Sequence, residues 1–202
     1  MACAHRPRRH APRGRSVKPL HDRIAATEPQ LPAQSAGDYF ERYIRRRVYQ
    51  AFQEERLAVG LYEISQHVRM VKSQDALEVT VAGGRKNFQR CEELVDLRML
   101  DGGWICFAAT LRMSSEGLKI VAYNFERVFG SDAVPPWVRF DLNLPGHENE
   151  ATGLRSHMHP GNDDVQLPAP IFAPHELLDT LLTTLGPREG RSPRTDVFVQ
   201  RS

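Results

Sequence analysis

Residues 104 to 129 read WICFAATLRM, SSEG and LKIVAYNFERVF, two long apolar-rich runs joined by four residues that favour a turn. We predict a strand over Trp104–Met113, a tight turn at Ser114–Gly117 and a second strand over Leu118–Phe129. Two strands joined by so short a turn must be antiparallel. The aromatic residues of these strands are expected mostly in the core, because a strand of alternating pattern buries one face.

Shorter segments with the same two-residue period lie on both sides of this hairpin. Before it, apolar residues alternate with polar ones over residues 77–81 and again over residues 95–99. After it, strands are predicted over residues 137–142 and 154–159. Proline is frequent from there on, so residues 160–174 are expected to form an extended loop without regular structure. Consecutive strands with short connections indicate an antiparallel β-meander.

Helical periodicity appears at both ends of this β-rich region. Apolar residues recur at three- and four-residue steps after Ser35 or Asp38, and either residue can cap a helix. We predict one kinked helix or two consecutive helices ending near Lys72, and a short helix from Pro174 to Gly186. The predicted fold class is α+β, with an N-terminal helical segment packed on an antiparallel β-meander sheet of five or six strands and a short C-terminal helix.

The 202-residue chain is expected to form a single α+β domain over residues 35–186, between a disordered basic arm (1–34) and a disordered tail (187–202). Residues 1–21 contain six Arg and Lys and no acid, so the rest of the chain has a net charge of −4, although the whole has +2. Such an arm can attract phosphate backbones. The alternatives are a plain disordered tail, a start codon placed too far upstream, or a transit-like leader.

The location of the protein is predicted from its apolar runs and its cysteines. No apolar run approaches the roughly 20 residues of a transmembrane helix. The three cysteines lack CxxC spacing, so they indicate neither a disulfide framework nor a cysteine zinc site. Cys91 and Cys106 are predicted to be ordinary buried thiols. We therefore predict a cytoplasmic protein that does not associate with membranes.

Candidate functional residues cluster between residues 139 and 164. RFDLNLPGH at 139–147 is followed by HMHPGNDD at 157–164, which together hold three of the eight histidines of the chain. His157 and His159 are two residues apart on a predicted strand, so their side chains should point to the same face, roughly 6.5 Å apart along the backbone. The predicted site residues are Asp141, His147, His157, His159, Arg139 and Arg155.

Three interpretations of these histidines are open. One neutral and one protonated imidazole could deprotonate a ribose hydroxyl and protonate a leaving oxygen, with Arg139 or Arg155 stabilising charge on phosphorus. Alternatively, the H-x-H pair could share a metal ion with His147 or Asp141, although no complete metal motif is present. In the third interpretation they cap loops at the end of a surface strand. No cofactor or metal is assigned.

The segment Asn162-Asp163-Asp164 follows a Pro-Gly pair directly. Neighbouring carboxylates can hold Mg²⁺ or Ca²⁺, but this segment lacks the D-x-[DN]-x-[DN]-G pattern of a calcium loop. An Asx-type turn is predicted instead.

The order of these elements resembles the TumE-like toxins of bacterial toxin-antitoxin modules. The resemblance covers about residues 75–182. It depends on short motifs: Tyr123-Asn124-Phe125, Arg139-Phe140-Asp141, Pro145 with His147, His157-Met158-His159 and Glu176-Leu177-Leu178. It implies a small antiparallel α+β domain that acts on RNA and is held by a cognate antitoxin. The sequence departs from the family pattern at Leu142-Asn143, at Gly146 and in the long helical region before Asp75.

The function predicted from the sequence is a toxin-like effector that acts on RNA through the clustered histidines, or a degenerate relative of one. The alternative is a non-enzymatic interaction protein that binds a partner through its tails or through a leucine stripe, Leu177, Leu178, Leu181 and Leu182. A second alternative is a histidine-based metal-binding domain. Whether the protein is an enzyme is left open by the sequence.

Overall fold

The chain folds as an α+β protein in which helices cover one face of a seven-stranded antiparallel sheet. This computed structural model describes residues 28–73, 75–130 and 132–185. The strands follow one another across the sheet in chain order, as in a meander. The strands are β1 (Val68–Lys72), β2 (Glu78–Gly83), β3 (Trp104–Ser114), β4 (Gly117–Val128), β5 (Trp137–Leu142), β6 (Ser156–His159) and β7 (Leu167–Pro168). The predicted α+β class is confirmed.

Among the described residues, four α-helices accompany the sheet. Helix α1 consists of an α-helical turn (Ala36–Tyr39), a π-helical segment (Phe40–Arg45) and a second α-helical segment (Arg46–Gln53). The others are α2 (Leu61–His67), α3 (Glu148–Ala151) and α4, which has an α-helical part (Pro174–Asp179) and a π-helical part (Thr180–Thr184).

Helix α1 begins where the sequence predicted it. The side chain of Ser35 accepts a hydrogen bond from the backbone N–H of Asp38 at 3.1 Å, which satisfies one of the free donors of the first turn. The apolar stripe of α1 then enters the core, where Tyr39, Ile44 and Val48 are almost completely buried.

The helical region does not continue to Lys72, so that part of the prediction is wrong. Helix α2 ends at His67, and the next five residues form β1, which pairs with β2 from Val68 opposite Gly83 to Lys72 opposite Val79. The β-branched Val68 and Val71 favour a strand, and the neighbouring β2 supplies partners for the backbone. The helical spacing of the apolar residues does not show that residues 68–72 pair with β2 instead of extending the helix.

The predicted strand over residues 95–99 is also wrong. A 3₁₀ turn at Glu92–Leu94 precedes this segment, and the segment itself forms only two isolated bridges, Met99 with Leu57 and Arg98 with Trp104. Leu97 and Met99 are nevertheless buried. The alternation therefore marked the residues that enter the core, although neighbouring strands do not pair with them as a ladder.

The described sheet has seven strands rather than five or six, because β1 and β7 are added and the predicted strand over residues 95–99 is absent. Strand β7 lies within the segment that was expected to be irregular, and it pairs His157 with Pro168 and Met158 with Leu167. Proline is tolerated there because β7 is an edge strand of the sheet.

The main core lies between the helices and one face of the sheet. It includes Phe107, Phe125 and Leu111 from the strands. The leucines of α4 also belong to it: Leu177, Leu178, Leu181 and Leu182 are exposed by only 2, 0, 0 and 4%. The prediction that this leucine stripe binds a partner is therefore wrong, because the four leucines are buried in the core of the protein itself.

Most of the predicted arm (residues 1–27) and all of the predicted tail (residues 187–202) lie outside the described part of the chain. Residues 28–34 are described and form neither helix nor strand. Within the described residues, no helix is long and apolar enough to cross a membrane.

Candidate functional site

Strands β5 and β6 bring Asp141, His157 and His159 together on the face of the sheet opposite helices α1 and α4. Asp141 pairs directly with His157, and Arg139 pairs with His159. Directly paired residues point to the same face of an antiparallel sheet, so the four side chains form one patch. The predicted common direction of His157 and His159 is confirmed. Asp141, His157 and His159 are all buried, with exposed fractions of 9, 3 and 2%.

The side-chain atoms of these three residues converge on one point. The Nε2 atoms of His157 and His159 are 3.1 Å apart. Oδ2 of Asp141 lies 3.4 Å from Nε2 of His159 and 3.7 Å from Nε2 of His157. Within the described residues, this is the only group of three or more His, Cys, Asp or Glu side chains with the spacing of a metal site.

Backbone carbonyls determine which nitrogen of each imidazole carries the proton. Nδ1 of His157 lies 2.8 Å from the carbonyl oxygen of Leu154, and Nδ1 of His159 lies 3.3 Å from that of Asn162. A carbonyl oxygen can only accept a hydrogen bond, so each Nδ1 is the donor. In a neutral ring the other nitrogen, Nε2, then carries a lone pair.

The charge state of His157 agrees with this assignment. Burial lowers the pKa of His157 below its ordinary value, and the nearby Asp141 carboxylate only partly opposes this effect. Burial therefore favours the neutral form of this imidazole. Two nitrogen lone pairs and a carboxylate oxygen then face one another, and this repulsion is relieved only by a proton or a cation among them.

Asp141 is held in place by two donors, one on the neighbouring strand β4 and one on its own strand β5. The side-chain amide of Asn124, directly opposite on β4, donates to Oδ1 of Asp141. Nε of Arg139 donates to Oδ2 at 2.8 Å. These contacts fix the carboxylate plane, so that Oδ2 is directed at the two imidazoles.

The three residues line a cleft of about 430 Å³. The floor is the sheet face, with Asn124, Glu126 and Arg139. Its sides come from residues 86–90 before β3, from Asn143 and Asn149 between β5 and β6, and from residues 163–166 between β6 and β7. A ligand in this cleft would therefore contact the Asp-His-His group directly.

Two predicted site residues lie outside the lining of this cleft. His147 is exposed and caps helix α3, where its Nδ1 accepts a hydrogen bond from the backbone N–H of Asn149 at 3.2 Å. Arg155 donates to the carbonyl oxygens of Asn143 and Val121, at 3.1 and 3.0 Å. Both residues have structural contacts that explain their positions without a ligand.

Several residues of the cleft were not predicted from the sequence. Asn124 and Glu126 alternate on β4 with the core residues Tyr123 and Phe125, and this polar alternation within an apolar strand was a usable signal. Arg90 comes from a loop, and no local pattern distinguishes it. Asp163 was part of a predicted Asx turn, which is confirmed by the hydrogen bond from the N–H of Asp164 to Oδ1 of Asn162 at 2.8 Å.

Comparison of this chain with models of known protein families, with curated proteins and with solved structures found no match. The resemblance to TumE-like toxins therefore stays a prediction from short motifs.

Proposed function

We propose that the protein binds a divalent transition-metal ion, Zn²⁺ in the first instance, through Asp141, His157 and His159, and uses it in hydrolysis. The observation that carries the proposal is the convergence of Oδ2 and the two Nε2 lone pairs, with both Nδ1–H groups donating to backbone carbonyls. Metal-binding histidines typically have such a carbonyl behind them, because it fixes the tautomer and the ring orientation.

The distances between the donor atoms support this assignment. Ligands that surround zinc tetrahedrally at roughly 2.0–2.2 Å are about 3.3–3.6 Å from one another. The three observed separations, 3.1, 3.4 and 3.7 Å, bracket this range. A metal ion would also remove the repulsion between the lone pairs.

Three protein ligands leave at least one coordination position for water or substrate. Structural zinc sites usually have four protein ligands, whereas catalytic sites have three and an open position. Since the three residues line the cleft, the free position of a bound ion would face it. Zinc lowers the pKa of a bound water to about 7, which makes hydrolysis the chemistry that such a site favours.

The geometry gives less support to the acid–base interpretation. An imidazole base and an imidazole acid must contact different oxygen atoms of a reacting phosphate. The facing Nε2 atoms of His157 and His159 are only 3.1 Å apart, which leaves no room for a phosphate between them. The RNA-acting, toxin-like activity and its cognate antitoxin stay predictions. Expression in a bacterial host, with His157→Ala and His159→Ala as controls, tests them by growth and by the integrity of bulk RNA.

Metal analysis tests the proposed function. Protein freed of metal by a chelator is incubated with Zn²⁺, separated from free ion and analysed for metal and for its melting temperature. We expect close to one equivalent of zinc and a higher melting temperature, because the ion binds only the folded state. The proposal would be contradicted if the protein stays free of metal and its melting temperature does not change when Zn²⁺ is added. Preferential retention of iron would keep the metal site but overturn hydrolysis.

Two variants complete this experiment. His159→Gln removes one nitrogen ligand and should abolish most of the zinc content. His147→Asn changes a nearby exposed imidazole that caps α3, and asparagine is itself a good cap. This control should bind zinc as the unmodified protein does.

A further inference from the structure

The cleft contains a second constellation, in which two arginines converge on one carboxylate. Arg90 donates to both oxygens of Asp163, from Nη1 at 3.0 Å and from Nη2 at 3.2 Å. Arg139 donates to Oδ1 of Asp163 from Nη1 at 2.7 Å. Two guanidinium groups around one oxyanion form the arrangement by which proteins usually recognise carboxylates and phosphates.

Both guanidinium groups are fixed independently of Asp163. Nε of Arg90 donates to the buried carboxylate of Glu126 at 2.6 Å, and its Cζ lies 3.7 Å from the centroid of the Trp137 ring. Nε of Arg139 donates to Asp141 at 2.8 Å. Each arginine is therefore anchored at Nε, and its terminal nitrogens point to the same place. Removing Asp163 leaves these anchors intact.

Asp163 itself is the exposed member of this group. Its side chain is 54% exposed, whereas those of Arg90 and Arg139 are exposed by 21 and 18%. It lies on the loop between β6 and β7, whose Asx turn is made by the flanking Asn162 and Asp164. The carboxylate can therefore leave the arginines without loss of the turn. Ion pairs with an exposed partner are weak, so an external anion can compete.

The charge of the cleft favours such an anion once the metal is bound. Without metal, three cations, Lys86, Arg90 and Arg139, face three carboxylates, Glu126, Asp141 and Asp163. A divalent ion adds two positive charges with no further carboxylate in the lining. A negatively charged ligand would lower the electrostatic energy of this site.

We propose that the cleft binds the oxyanion group of its substrate, a carboxylate or a phosphate, between Arg90 and Arg139, in the place that the Asp163 carboxylate occupies. The charge argument depends on the proposed function, whereas the arginine pair is present without metal. Arg139 connects the two sites, since its Nε contacts Asp141 and its Nη1 contacts Asp163. The guanidinium group of Arg139 would therefore lie between the anionic group of the substrate and the metal ligand Asp141.

Calorimetric titration with inorganic phosphate, and separately with acetate, tests this proposal on zinc-treated and on metal-free protein. Asp163→Asn removes the internal competitor and should tighten the binding of at least one anion by about tenfold or more, which is 1.4 kcal/mol. The anion that gains more identifies the chemistry of the substrate. In the Asp163→Asn background, Arg90→Gln should remove the gain. Arg112→Gln, an exposed residue paired with Glu78 outside the cleft, should leave it unchanged.

The outcomes of this experiment separate the two proposals. If Asp163→Asn binds both anions no better than the unmodified protein does, the oxyanion site is overturned, whatever the zinc content. If the gain appears in protein that fails to bind zinc, the oxyanion site stands and the metal proposal fails. Should the Arg90→Gln variant not fold, Arg90→Lys, which keeps the charge but loses the two-pronged contact, should still lower the gain.

Discussion

The imidazoles of His157 and His159 are neutral metal ligands in this proposal because of the backbone behind them. A histidine on a strand usually has one nitrogen free to exchange protons with solvent. Here both rings are buried, and Leu154 and Asn162 supply carbonyl acceptors for the Nδ1 protons. The backbone therefore selects the tautomer that leaves Nε2 unprotonated.

Asn124 does not bind the metal itself, but its hydrogen bond to Asp141 should affect the metal affinity. Asn124→Ala removes the amide that donates to Oδ1 of Asp141, so the carboxylate should be held less firmly. Loss of such a contact typically weakens metal affinity about 10–100-fold. We expect this loss for Zn²⁺, measured by competition with a chromophoric chelator. Gln166→Ala, on the wall of the same cleft, is the control, and equal losses in both variants would contradict the positioning role.

Cys106 lies on the same face of the sheet as the site and should be chemically inert. Burial raises the pKa of its thiol to about 12, and the negative charge of Glu126 adds to the effect. The thiolate is the reactive form, so Cys106 should not react with a thiol reagent at pH 8 in the native protein, and should react after unfolding. The measurement uses a variant with serine at positions 3 and 91. Rapid native labelling would show that the segment covering Cys106 opens readily.

The sequence predicted half of the constellation in the cleft because that half is local. Asp141, His157 and His159 lie on strands whose polar residues interrupt an apolar pattern, so their common face follows from periodicity. Arg90 and Asp163 are 73 residues apart in the chain, and only the folded loops bring them together. No periodic signal encodes such a contact. His147 is near these residues in sequence, but it caps the start of α3 and does not line the cleft.

The elements of the sheet differ in how well their sequences specify them. The hairpin of β3 and β4 is long and has a short turn, so its pattern predicted it almost to the residue. Its only irregularity is a register shift between Thr110 and Leu111. Because of this shift, even-numbered residues of β4 face the core before it and odd-numbered residues face the core after it. Strand β1 was mistaken for helix because only its first residue, Val68, is buried. An edge strand with one buried residue has no alternating signature.

Strand β2 contains a close approach that predicts a large effect for a small substitution. A Cβ atom at Gly83 would lie 2.1 Å from the ring of Phe107, and this ring is buried and stacked on Phe125 with centroids 5.3 Å apart. The ring therefore cannot move aside. Gly83→Ala should lower the free energy of unfolding by about 1–3 kcal/mol, measured by urea denaturation.

Gly37→Ala is the matched control for this prediction. Gly37 lies in the first turn of α1, and a Cβ there meets no atom within 4 Å. Alanine favours helix over glycine by up to about 1 kcal/mol. This variant should be as stable as the unmodified protein or more so. Similar losses at both positions would mean that Phe107 does not limit the space at Gly83.

At the scale of the whole molecule, the two faces of the sheet have different roles. The face toward α1 and α4 holds the main apolar core, and the opposite face holds the polar cleft. Strand alternation lets one sequence serve both, because core residues such as Phe125 alternate with cleft residues such as Glu126. Substitutions in the cleft can therefore change binding while the core that stabilises the fold is kept.

The helical layer contains a histidine that should make global stability depend on pH. His175 joins α4 to α1: its backbone N–H donates to the hydroxyl of Tyr39 at 3.1 Å, and this hydroxyl lies 2.9 Å from its Nδ1. Burial lowers the pKa of His175 below its ordinary value, and the positive charge of Arg47 acts in the same direction. The folded state therefore holds the ring neutral where the unfolded chain would already bind a proton.

The sign of the effect follows from this difference in proton binding. Above the ordinary histidine pKa of about 6.5 the ring is neutral in both states, so His175 costs no stability. As the pH falls below about 6.5, the unfolded chain takes up the proton first, and the free energy of unfolding decreases until the lower, folded pKa is reached. Urea denaturation at pH 7.5 and 5.5 should show a larger loss on acidification for the unmodified protein than for His175→Gln. Equal losses would mean that other groups, such as His157, account for the acid sensitivity of the fold.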